Sequence, residues 1–131
     1  MDYLEKSFNA VCQAIGYISK YSDNIFLPIK PTYAYDLIYS KWEETTEFFI
    51  KVKVFQTKSQ APSGSYVLNL RKSGGYENAK EHKAAFDPSM CDVVFAMSPE
   101  GFYMIPSIAI TQKRAISLSK FQEYKCMDIP S

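Results

Sequence analysis

The chain reads as an α+β fold. An opening segment carries helical periodicity, several short runs with strand character follow, and mixed elements close the chain without a regular strand–helix alternation. Leu4, Phe8, Val11 and Ile15 recur at spacings of four, three and four, one face of an α-helix, and Gly16 is placed to end it. Glu5 sits beside that stripe, at the border of the buried face. The runs Ile25 to Ile29 and Ala34 to Tyr39 read as strands, the second carrying Asp36 among apolar residues. Phe48 to Phe55 alternates: Ile50, Val52 and Val54 point one way, and Phe49, Lys51, Lys53 and Phe55 the other. The polar stretch Lys41 to Thr46 joins two of these strands as a hairpin.

Gln56 to Ser65 reads as a polar loop, Tyr66 to Leu70 as a strand, and the glycine-bearing stretch Arg71 to His82 as a loop or short helix. Asp92 to Met97 and Phe102 to Ile105 are two further strands around the turn Ser98-Pro99-Glu100-Gly101. In the tail from Ile116 to Lys125, Ile116, Leu118 and Phe121 are the candidates for the core. A length of 131 residues is that of one domain, expected to span 1–131.

Fifteen basic residues stand against fourteen acidic ones, so any affinity for nucleic acid must come from local placement of charge rather than from a basic excess. Cys12, Cys91 and Cys126 form no CxxC pair, and His82 is the sole histidine, which argues against a zinc site and reads as reduced thiols in a cytosolic protein. The N-terminal residues lack the basic stretch and apolar run of a signal peptide, and no run is long enough to cross a bilayer. A cytoplasmic protein without membrane contact is expected.

Asp36 on one strand and lysines on the next are raw materials for metal-assisted hydrolysis of a phosphodiester. A carboxylate suits Mg²⁺, a hard cation; the cation polarises the phosphate and acidifies a bound water; a lysine orients that water or offsets charge on the phosphate. Glu5 is a candidate second carboxylate. The same residues have a plainer reading, since an Asp near a strand start is often a turn or capping residue and Lys-x-Lys is often the solvated face of an edge strand.

Taken together, several segments resemble the small PD-(D/E)XK endonucleases that include cyanobacterial group I intron homing enzymes. Glu5 followed eleven residues later by Gly16-Tyr17 resembles that family's opening helix. Pro28 with Tyr35-Asp36-Leu37-Ile38 resembles its "P…YDL" strand, and Ile50-Lys51-Val52-Lys53 its "IQVK" strand. The segment from Gly64 to Ser73 is similar to "GSYVFNLRRS"; Asp92 to Ala96 and Tyr103 to Pro106 resemble the last core strands. The resemblance implies a restriction-endonuclease-like mixed central sheet flanked by helices, with Asp36 and Glu5 as metal carboxylates, Lys53 as the catalytic lysine and Mg²⁺ as the cofactor. One position departs from the pattern: Lys51 stands where the family has Glu or Gln. A second register, with Phe49 at the Gln position and Lys51 as the catalytic lysine, departs as far and loses the Ile-x-Val-Lys match.

On this reading Arg71, Lys72 and Lys80 are placed to track phosphates, and Tyr66 is either core or a contact to a base. Trp42, in a polar hairpin, reads as a subunit contact or as an exposed aromatic capping the sheet. The expected function is site-specific, Mg²⁺-dependent cleavage of double-stranded DNA by a homo-oligomer, a dimer or tetramer, because cutting two strands takes two sites. The rival is a non-catalytic DNA-binding protein on the same fold, which Lys51 favours. An interaction domain without nucleic acid is a third reading, supported by the near-zero net charge.

Overall fold

The computed structural model describes residues 3–30, 34–70 and 86–126, with side chains from residue 8 onward. Helix α1 spans Tyr3–Ile18. Its buried residues are Ala10, Ala14, Tyr17 and Ile18, with Val11 and Ile15 partly covered. Phe8, which periodicity puts on the buried stripe, is 63% exposed. The contact face is rotated away from the large side chains because two alanines one turn apart let the helix lie close to the sheet, and alanine carries little weight in an apolar pattern. Nor does Gly16 end the helix. Two more residues follow, and Ser19 closes it by donating its N–H to the Ile15 carbonyl and its hydroxyl to the Gly16 carbonyl.

The strands are β1 (Ile25–Phe26), β2 (Leu37–Glu43), β3 (Thr46–Gln56), β4 (Val67–Asn69), β5 (Val93–Ser98), β6 (Gly101–Pro106), β7 (Ala115–Ser117) and β8 (Lys125–Cys126). Short 3₁₀ helices occupy Ser107–Ala109 and Leu118–Tyr124. Six strands form one mixed sheet in the order β1-β2-β3-β5-β6-β8, in which only β3 and β5 are parallel; β4 and β7 form a separate antiparallel ribbon. The mixed central sheet with helical segments on both sides is the α+β architecture that the sequence predicts. The first strand is shorter than expected, because Pro28 has no N–H to continue a ladder. The β2–β3 hairpin is longer than expected: Lys41, Trp42 and Glu43 pair with Phe48, Glu47 and Thr46, leaving a two-residue turn. Such a turn requires positive φ, and Glu44 supplies it at 56°.

Alternation along β3 holds. Ile50, Val52 and Val54 join the cluster beneath α1 with Leu37, Phe95 and Met97, while Phe55 joins the cluster on the opposite face. That second cluster lies between β5–β6 and the β4–β7 ribbon, around Leu68, Val94, Tyr103, Ile105 and Ile116. Leu118 and Phe121 are buried there, as the tail pattern predicts. Over β1–β3 the same face is open among the described residues. Phe26 and Phe49 are 49% and 55% exposed with ring centroids 6.1 Å apart, and Trp42 on the hairpin is 60% exposed. Asp36 and Lys53 lie where the covered half meets the open half.

Candidate active site on the central strand

The chain enters β2 with an extra residue. Leu37 pairs with Val52, yet the N–H of Asp36 also donates to the Val52 carbonyl at 2.8 Å. Two consecutive residues therefore face one, the arrangement of a β-bulge, a device that re-aims a side chain. The Asp36 carboxylate turns back along β3, and its Oδ2 accepts the Val54 N–H at 2.7 Å, taking the place of a ladder carbonyl. Its Oδ1 lies 3.6 Å from the Lys53 ammonium. Both side chains are mostly covered, 24% and 21% exposed, so this pair is less screened than a surface one. Lys53 also borders a cavity of about 20 Å³ walled by Phe55, Leu70, Met90 and Cys91, room for a single water.

On the other side of β3, Asp92 does what Asp36 does. Its N–H donates to the Lys51 carbonyl and its Oδ2 accepts the Lys51 N–H, both at 2.9 Å, so a side chain completes the ladder where β5 begins. The Lys51 backbone is thus anchored while its side chain is exposed, with its ammonium 5.5 Å from the centre of the Tyr35 ring in a cation–π contact. The amine set against Asp36 is that of Lys53, while the Lys51 ammonium lies over Tyr35. Of the two registers weighed for the lysine strand, the ion pair falls on the one that keeps Ile-x-Val-Lys.

Next to Lys53, the Cys91 thiol is buried and 3.2 Å from the Ser107 hydroxyl. Burial raises its pKa, while Ser107 and Lys53 pull it back. Burial likewise raises the Tyr39 phenol, with the negative charge of Asp92 adding to the effect. Sequence reasoning missed Asp92, Tyr35 and Cys91. Asp92 was the findable one, an acid directly ahead of the apolar run of β5.

Tyr66 is half-buried against the second cluster, and its carbonyl accepts the Leu118 N–H. Glu5 lies on α1, with its side chain outside the described residues, and Arg71, Lys72, Lys80 and His82 lie outside them altogether. Among the described residues no group of three or more His, Cys, Asp or Glu side chains is arranged to hold a metal. At this place Asp36 is the carboxylate; one oxygen accepts an amide and the other faces an ammonium. Mg²⁺ prefers a near-octahedral set of oxygens, and an exposed lysine at position 51 adds a cation where an oxygen would serve. The described donor set does not fit Mg²⁺. What it can do is hold a water or a phosphate oxygen between an acceptor, Asp36, and a three-proton donor, Lys53.

No helix among the described residues is long and apolar enough to cross a membrane. No family model and no curated protein sequence matches the chain. A solved structure does: that of a bacterial homing endonuclease, I-Ssp6803I, with a TM-score of 0.64 and 21% sequence identity over 88% of this chain and 77% of that one. At that identity the likeness is one of fold.

Proposed function

We propose that the chain is a DNA endonuclease of the PD-(D/E)XK kind, a phosphodiester hydrolase whose turnover is held low because Lys51 offers a cation where Mg²⁺ would need an oxygen. The observation that carries this reading is the Asp36–Lys53 pair, 3.6 Å apart, with Asp36 at the bulge that leads into β2 and Lys53 on β3. The fold shared with a homing endonuclease supports it. In this reading Lys53 donates to a non-bridging phosphate oxygen and offsets its charge, and Asp36 accepts a proton from the attacking water. The substrate is double-stranded DNA cut at a specific site, the family's intron-homing type of cleavage. The working form is a homo-oligomer, and Glu5 is the helper carboxylate. Lys51 favours a second reading, a DNA-binding protein on this fold that no longer cuts.

One experiment separates them: plasmid nicking with Mg²⁺ by the protein as it stands, by Lys51→Gln and by Asp36→Asn, at matched DNA occupancy. Lys51→Gln is expected to raise cleavage by on the order of 10-fold or more, the scale on which groups around a metal tune activity, and Asp36→Asn to abolish it. If none of the three cuts, the binding protein is the right reading. If the unsubstituted protein cuts well and Lys51→Gln stops it, Lys51 is itself the catalytic lysine.

A further inference from the structure

Beyond the end of β3 a cleft of about 530 Å³ opens between residues 56–59, β4 and the start of β7. Lys58 and Arg114 stand on its walls, Gln56 and Asn69 add polar groups, and Val67 and Ala115 give it a small apolar floor. Among the described residues no acid lines it, and no carboxylate is within ion-pairing distance of either cation. Two exposed cations gathered without an acid among the described residues are a local departure from the near-even balance of a chain with a net charge of +1.

The walls are built by hydrogen bonds. Val67 donates its N–H to Ser59, Thr57 Oγ1 donates to the Val67 carbonyl at 2.6 Å, Asn69 pairs with Ala115, and Leu70 donates its N–H to the Arg114 carbonyl. Three chain segments therefore lie side by side and hold Lys58 and Arg114 on one concave surface. An anion in the cleft meets both cations. The cleft is too open to bury an apolar ligand. An open groove that carries a forked donor and a point charge suits a phosphate.

We propose that this cleft binds a backbone phosphate of the nucleic acid, held by Arg114 and Lys58. The proposal rests on the nuclease reading for the identity of its ligand. The test is the affinity for a short duplex as a function of salt, by fluorescence anisotropy, for the unsubstituted protein, Lys58→Gln/Arg114→Gln, Lys58→Arg/Arg114→Lys, and Lys20→Gln as an exposed control. The Gln pair is expected to lower the slope of log affinity against log salt by about 2, roughly one per phosphate contact, with its thermal melt unchanged. The charge-preserving pair and the control should keep the slope. An unchanged slope in the Gln pair, or no duplex binding by any protein, overturns the subsite. Titration with inorganic phosphate, followed by amide NMR shifts, separates the other source: saturation of residues 56–59 and 114 by free phosphate, with duplex affinity indifferent to both cations, marks a small-anion site and also overturns the proposal. Nicking is scored separately, so a protein that cuts with an unchanged slope sinks the subsite alone. One that never cuts but loses its slope sinks the nuclease reading alone.

Discussion

Asp36 serves the fold and the site with different atoms. Its Oδ2 completes the ladder at Val54, and its Oδ1 meets Lys53. Asp36→Ala leaves the Val54 N–H without its acceptor and should cost about 1–3 kcal/mol. Asp36→Asn keeps an oxygen for that bond and should cost less than about 1 kcal/mol. Urea midpoints of the two variants check this, and equal losses would mean that the amide bond contributes nothing. At this scale the sequence was legible where side-chain type and strand alternation decide the outcome: the acid one hairpin ahead of Lys53 could be read directly. It was illegible where backbone geometry decides. The bulge at Asp36 and the ladder completed by Asp92 depend on which N–H lacks a carbonyl, and no residue type announces that. Hence nothing in the sequence separates the two lysines, while in the structure Tyr35 takes Lys51 and Lys53 meets the acid.

The elements divide along a similar line. The runs of β3, β5 and β6 announced themselves by alternation and apolar density, and the structure places them within a residue or two of expectation. The helix was found but turned. Its stripe of large residues predicted Phe8 inward, and the sheet instead contacts Ala10 and Ala14. Two substitutions tell these faces apart. Ala14→Leu adds bulk to a fully buried contact and should cost about 1–3 kcal/mol by overpacking. Phe8→Ser removes an exposed ring and should change stability by less than about 0.5 kcal/mol. The reverse order in thermal melts would restore the stripe as the buried face. The strands β7 and β8 were not legible, being three and two residues long. Segments of that length show no period, and their pairing is set by the partners they reach late in the chain.

Across the molecule the two clusters on opposite faces of one sheet make stability depend on pH in a definite direction. Tyr17 lies in the cluster beneath α1, and burial, then its hydrogen bonds to Cys126 and Tyr21, push its phenol above the usual range. Tyr39 and Cys91 are raised as well, each chiefly by burial. In the unfolded chain these groups lose their protons near roughly 10 for tyrosine and 8.5 for cysteine, while in the folded protein they stay neutral for longer. Their contribution is therefore complete below the unfolded values and falls as pH rises through that range toward the folded ones. Unfolding midpoints in urea should hold steady near neutrality and drop from about pH 9 upward. Tyr17→Phe should flatten that drop, and a midpoint indifferent to pH up to 11 would remove burial as its cause.

Position 51 has a bearing on heredity. Its backbone is pinned by Asp92 on one side and its side chain stands in solvent over Tyr35, so lysine, glutamine and glutamate are all compatible with the same backbone hydrogen bonds. Lysine, glutamine and glutamate codons differ by a single nucleotide. Under the function proposed above, a lineage would pass between a form that cuts and a form that only holds DNA in one mutational step, without crossing an unfolded ancestor.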